Sequence, residues 1–177
     1  MVCVVLALAA TFLSEHFGGP QLLYALLIGL SLHFLSLQES TRIGINFCAK
    51  TVLRVGVALL GIRITEVGDD YIRAEMPVDE RHVQPFGILH GGVSVVLAET
   101  VGSLASVLCC DEGYGAVGLE INANHLLPVP KGDVVTAECR PVRVGRNIHV
   151  WNIELRRGDG KLTCVSRLTT SIVANRT

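Results

Sequence analysis

Glu99 is the only charged residue between His90 and Asp111, a stretch that is otherwise apolar or small. A carboxylate in such a run is seldom buried without a partner or a job. Two jobs are open to it, general base for a water or nucleophile toward an acyl group, and the residue type alone does not choose between them. Just upstream stand His90, Gly91 and Gly92, at the start of a predicted helix. Unpaired backbone N–H groups and the positive dipole end at a helix start suit an oxyanion or a polarised carbonyl oxygen. Glycine at 91 lets a ligand approach its N–H closely. His90 either donates a hydrogen bond to that oxygen or caps the helix. Ser103 falls one turn after Glu99 on the same face, where its hydroxyl can hold a water or orient the carboxylate, with Ser94 and Thr100 as competing partners. No Cys or His spacing suits a metal, and neither a metal nor a cofactor is expected.

Spacing adds a condition. Glu99 lies about 12 Å beyond Gly91 on a helix rising about 1.5 Å per residue, so one acyl carbon cannot touch both on one chain. Two such helices packed antiparallel about a two-fold axis would set Gly91 of one against Glu99 of the other. The spacing therefore predicts at least a homodimer with shared sites, a condition that a dimer of dimers, a homotetramer, also meets.

Positioning these residues falls to a helix from Val93 to Cys110 that is apolar on nearly every face, the pattern of a helix buried within its domain. Its flanks change period to two, with charge on alternate residues, which excludes a neighbouring membrane span. Ile62–Val67, the turn Gly68-Asp69-Asp70 and Tyr71–Met76 read as a hairpin ended by Pro77. A loop from Asp79 to Leu89 leads into the helix. Strands are predicted over Ala116–Leu126, Val134–Val142, His149–Arg156 and Leu162–Val173, with Leu119, Ile121 and Ala123 facing away from Glu120, Asn122 and Asn124. Two strands, a long helix and four strands make an α+β fold, an antiparallel sheet wrapped around a central helix.

The chain has 177 residues, of which 50% are hydrophobic, and a mean hydropathy of +0.48. The excess sits at the front, where Met1 to Leu60 carries only Glu15, Glu39, Arg42, Lys50 and Arg54 as charges. The reading is thus an apolar, all-α, membrane-like segment over 1–60 and a separate domain over 61–177, long enough for one core. Val2–Leu13 and Gln21–Leu37 are apolar runs parted by a loop from Ser14 to Pro20, and Thr41–Leu60 is a weaker third run; all reach or fall short of a full span of about 20 residues. A net charge of −1 gives no reason to expect nucleic acid. The six cysteines read as reduced, mostly buried thiols of a cytosol-facing protein.

Several separated motifs, in order, carry a resemblance: Met76-Pro-Val-Asp, Gln84-Pro-Phe-Gly-Ile-Leu-His-Gly-Gly, Leu97-Ala-Glu-Thr-Val-Gly-Ser, Val117-Gly-Leu-Glu-Ile-Asn-Ala-Asn-His and Ser166-Arg-Leu-Thr-Thr. From about Leu60 to Val173 the chain resembles the hotdog-fold acyl-CoA thioesterases, in the branch of the dihydroxynaphthoyl-CoA thioesterases of menaquinone synthesis and the PaaI-like proteins. The resemblance implies hydrolysis of acyl-CoA thioesters, with Glu99, Gln84, His90, Gly91 and Ser103 in the catalytic group. Gln84 would contact the thioester or the water, and Gly92, His125, Phe86 and Arg167 would bind substrate. Arg140, Arg143, Arg146 and Arg167 are the candidates for the phosphates of coenzyme A. Leu126 and Leu127 stand where this family would supply a basic residue.

Two stretches of the front segment, Ala10–Leu30 and Leu53–Thr65, are similar to the amino-terminal part of an uncharacterised family of multi-span bacterial inner-membrane proteins. That similarity leaves open a cytoplasmic domain tethered to the inner membrane through residues 1–60. Two rival readings stand beside thioester hydrolysis. One is an enoyl-CoA hydratase, which would need an Asp/His dyad where the helix offers only Glu99. The other is an acyl-CoA-binding or assembly module on a membrane-protein fragment.

Overall fold

The computed structural model describes residues 2–17, 27–28 and 60–175. The chain divides into two compact units, Met1–Gly56 and Val57–Thr177. In the first, helix α1 spans Val2–Phe17. It runs past the break expected at Ser14, because Ser, Glu and His are tolerated in a helix and the strong breakers, Gly18, Gly19 and Pro20, come only afterwards. His16 stacks on Phe12 one turn back, ring centroids 5.5 Å apart. The other two apolar runs lie outside the described residues, apart from Leu27, Ile28 and Leu60.

The second unit is one antiparallel sheet and one long helix. Its elements are β1 (Arg63–Val67), β2 (Ile72–Pro77), α2 (Gly91–Leu108), β3 (Tyr114–His125), β4 (Val134–Val144), β5 (Ile148–Arg157) and β6 (Leu162–Ala174). The six strands pair in the order β1-β2-β4-β5-β6-β3. β1 and β2 form the expected hairpin, and β3 crosses to the far edge to pair with β6. Alternate residues of β2, β4, β5 and β6 meet the inner stripe of α2 in a core that holds Met76, Leu97, Val101, Ile153, Leu155 and Leu168, each almost wholly buried. Of these, Leu97 carries the helix; its truncation to alanine would cost about 2–5 kcal/mol.

α2 is buried on one stripe only, through Ser94, Leu97, Ala98, Val101, Gly102, Ala105 and Ser106. Val107 and Leu108 are exposed. The sheet covers half of a helix that its sequence makes apolar all round. β3 has no strand on its outer side among the described residues, and Tyr114, Val117 and Leu119 are exposed along it. A bulge between Gly118 and Glu120 shifts the alternation of β3 by one residue. Leu119 is therefore not on the inner face as the period of two predicted; Gly118 before the bulge and Ile121 and Ala123 after it turn toward α2. Cys139 and Cys164 are buried, but Cys109 is exposed and Cys110 half-buried, so the thiols at the end of α2 depart from the expected burial.

Candidate active site

The loop before α2 is held by backbone hydrogen bonds at both ends. Gln84-Pro85-Phe86-Gly87 closes a turn, Gly87 N donating to Gln84 O at 2.9 Å, with Gly87 at φ +73, a conformation that glycine adopts without strain. Gln84 N donates to Ile88 O and His90 N to His82 O. Leu89 N donates to Val129 O at 2.8 Å, which sews the loop to the β3–β4 connection. His82 is the internal anchor. It is fully buried, accepts the Asp79 N–H at Nδ1 (3.0 Å) and has Nε2 3.1 Å from the Leu60 carbonyl oxygen. Arg81 braces the same corner, and its hydrogen bonds to Asp79 hold that carboxyl well below the usual carboxylate range.

His90 is the N-cap of α2. Its Nδ1 accepts the Gly92 N–H at 2.9 Å, so a neutral ring carries its proton on Nε2, facing outward. The Gly92 N–H is thus spent on the cap. The Gly91 N–H has no acceptor among the described residues, and the His125 ring stands against it. A Cβ at position 91 would lie 2.9 Å from His125 Nε2.

Between this helix start and the β3–β4 connection lies a cavity of about 330 Å³ lined by Gln84, Gly91, Ser94 and His125 with an apolar wall that includes Ile88 and Leu127. Three of the residues expected from sequence, Gln84, Gly91 and His125, therefore meet in one place. Ser94 joins them; its spacing of one turn from Gly91 was the available signal, although the sequence reading weighed it only as a neighbour of Glu99. Leu126 and Leu127 belong to the same wall, so the position where a basic residue was expected is apolar surface of the cavity.

Glu99 is elsewhere. The expectation of a buried carboxylate does not hold within the chain. Glu99 is exposed, since it points off the buried stripe of α2 toward the open β3 edge, where a Cβ on Gly118 would lie 3.5 Å from its Oε1. It makes no hydrogen bond or ion pair among the described residues. Ser103 is half-buried beyond it without a hydrogen bond to it, and Thr100 is occupied, its hydroxyl donating to Val96 O at 2.7 Å. No carboxylate, lysine or arginine among the described residues lines the cavity. Phe86 stands 85% exposed at the turn. Arg167 is exposed on the outer face of the sheet, opposite Asn122 of β3 and Asn152 of β5. Arg140 is committed to Asp70 (2.9 Å) and Glu138 (2.8 Å), which leaves Arg143, Arg146 and Arg167 without an ion pair among the described residues. No group of three metal-ligating side chains occurs among those residues.

Comparison with known proteins fits this geometry. Residues 86–164 match the family model of the thioesterase superfamily, and residues 1–69 match that of conserved hypothetical protein 698. The 1,4-dihydroxy-2-naphthoyl-CoA hydrolase of Escherichia coli is 50% identical over 117 residues, covering 66% of this chain and 85% of that one. The proofreading thioesterase EntH of Klebsiella pneumoniae is 43% identical over 136 residues, covering 77% of this chain and 96% of its own. The crystal structure of a thioesterase from Haemophilus influenzae superposes with a TM-score of 0.65 at 55% identity, covering 73% of this chain and 87% of that one.

Proposed function

The chain belongs to the thioesterase superfamily, and from that premise we propose that it hydrolyses acyl-CoA thioesters with aromatic or otherwise bulky acyl groups, dihydroxynaphthoyl-like, at sites built from two copies of the chain. That it is a thioester hydrolase of hotdog fold follows from its relatives; the substrate, the residues and the assembly are the proposal. One observation carries it. The cavity that gathers Gly91, Gln84 and His125 contains no carboxylate among the described residues, while Glu99 stands exposed on the same helix beside an edge strand that no described strand pairs on its outer side.

Pairing of two β3 edges across a two-fold axis would continue the sheet, cover Val117 and Leu119, and lay the α2 helices antiparallel. Glu99 of the second copy then enters the cavity opposite Gly91. The thioester oxygen lies at the Gly91 N–H, which stabilises it as negative charge develops, with the Gln84 amide and the His90 Nε2–H as further donors. Glu99 either takes the proton of a water whose oxygen attacks the carbonyl carbon, or attacks that carbon itself to give an anhydride that water opens. In both courses the C–S bond breaks, coenzyme A leaves as thiolate and is protonated, and the acid is released. Ser103 orients the carboxylate. Gly92, His125 and Phe86 contact the substrate, and Arg143, Arg146 and Arg167, which have no ion pair among the described residues, meet the nucleotide phosphates. Residues 1–60 serve as an all-α segment that decides location, placing a cytoplasmic enzyme at the inner membrane.

Complementation tests the shared site. Glu99→Gln protein mixed under exchanging conditions with Gly91→Pro protein should regain activity approaching half per heterodimer, measured by thiol release from aromatic acyl-CoAs. No recovery despite demonstrated subunit exchange and a folded Gly91→Pro chain, or full activity in a verified monomer, defeats the two-copy site.

A further inference from the structure

Polar groups in the cavity differ in how they are satisfied. Gln84 and Gly91 are half-buried and His125 is exposed, so water reaches all three. The Thr163 hydroxyl is spent on the Leu155 carbonyl at 3.0 Å. Ser94 is the most enclosed of the cavity's polar residues without an internal partner: it is 5% exposed, lines the cavity, and its hydroxyl, open only to that cavity, has no partner among the described residues. A helical serine ordinarily donates to the carbonyl four residues back, as Thr100 does to Val96. For Ser94 that carbonyl is His90 O, which already accepts the N–H groups of Val93 (2.9 Å) and Ser94 (3.3 Å). The other buried serines are committed, Ser106 to Thr170 at 2.7 Å and Ser166 to Asn122 O at 2.6 Å. A hydroxyl that faces a cavity with no partner of its own is free to bond a ligand there, and a ligand that displaces water from it without supplying a partner leaves it unsatisfied.

The position of Ser94 says which part of a ligand that is. It lies one turn past Gly91, about 4.5 Å further along the helix, and deeper, so it faces the acyl group beyond a carbonyl held at the Gly91 N–H. Around it the wall is apolar, with Leu89 and Val129 buried and Leu126 and Leu127 at the mouth. Resting on the thioesterase reading above, we infer that Ser94 is a specificity-determining residue whose hydroxyl hydrogen-bonds an oxygen substituent one or two carbons from the thioester carbonyl. The site then favours 2-hydroxyaryl and 3-hydroxyacyl thioesters over isosteres without that oxygen, since a site built around a hydrogen bond discriminates against analogues that lack it more sharply than an apolar wall does.

The experiment compares kcat/KM of the full chain on matched pairs, 1-hydroxy-2-naphthoyl-CoA against 2-naphthoyl-CoA and 3-hydroxyoctanoyl-CoA against octanoyl-CoA. The wild type should prefer the hydroxylated member of at least one pair by about tenfold or more. Ser94→Ala should bring that ratio close to one, and Ser94→Thr, which keeps the hydroxyl, should retain most of it. Ser94→Cys keeps the volume with a weaker donor and should lower the ratio likewise; it replaces the alanine variant if thermal melts show that one unfolded. Equal losses on both members, or a ratio unmoved in a folded variant, overturn the inference while leaving thioester hydrolysis intact. Absence of thiol release from every thioester in the wild type overturns the hydrolase reading, and the inference falls with it.

Discussion

The two ends of α2 carry similar residues and use them in opposite ways. At the C-terminal end, Ser106 Oγ accepts the Trp151 Nε1–H at 2.6 Å and lies 2.7 Å from Thr170 Oγ1, while Ser106 O accepts the Cys109 N–H and the Cys110 thiol. At the N-terminal end the Gly91 N–H and the Ser94 hydroxyl find no acceptor among the described residues, and a cavity of about 330 Å³ lies before them. One end is finished by folding, because β5 and β6 bring Trp151 and Thr170 to it. The other is left open by folding. Polar groups that a fold leaves unspent at a helix start mark where chemistry is done, whereas those it spends mark where the helix is held.

That contrast can be broken at either end. The largest effect is expected at Glu99: replacement by glutamine should lower kcat by about 10²-fold or more while leaving the melting temperature nearly unchanged, since the carboxylate is exposed and unbonded. A loss of fold with the activity would make Glu99 structural. Gly91→Ala comes next, with a loss of about tenfold in kcat/KM, because the added Cβ meets the His125 ring; His125→Ala in the same chain should recover part of that loss, and no recovery would mean that the ring is not the obstacle. At the finished end the signs reverse. Ser106→Ala strands the Trp151 N–H and should cost about 1–3 kcal/mol in denaturant unfolding with kcat within about twofold of the wild type.

A smaller effect is expected from His149, which lies 6.1 Å from Trp151, ring centroid to centroid, at that same end. It is buried with Nδ1 unpartnered among the described residues, and burial pushes its pKa below the ordinary 6.5. The unfolded chain therefore binds the proton first. Full stability is present above about pH 6.5 and is lost as pH falls from there through the folded pKa. The drop in melting temperature between pH 8 and pH 5 should be smaller in His149→Gln than in the wild type, and an equal drop would exclude His149 as the cause. The smallest effect is expected from removing residues 1–56, which leaves the second unit whole; thiol release per site should stay within about twofold, and a folded but inactive product would show that the front segment shapes the cavity.

Most of the fold was legible in the chain order of periods. β1, β2 and β4 to β6 fall within two residues of the alternating runs that predicted them, and α2 within two of its apolar run. Leu119 was misplaced because a bulge leaves no mark in a simple alternation, and Ser14 because a polar residue in a helix resembles a loop until the glycines after it are weighed. Within the site, Gly91 could be named beforehand from its place at a helix start, and Gln84 and His125 from the family resemblance of the motifs that hold them. Ser94 could be located but not understood, since what sets it apart is a carbonyl at His90 already filled by two other donors. Arg140 could not be told from Arg143 or Arg146 without seeing Asp70 and Glu138 beside it.

By itself the sequence determined the order of elements, the helix that starts at a glycine pair, and the distance between Gly91 and Glu99, because each follows from local periodicity and a fixed rise per residue. Tertiary structure decided which side of that helix is covered. The order β1-β2-β4-β5-β6-β3 puts β3 at an edge and leaves Glu99 in the open, while the β3–β4 connection closes over Gly91 and makes a cavity there. Strand order is set by contacts between residues far apart in the chain, which no local pattern encodes, and it is strand order that leaves the Glu99 face of the helix uncovered.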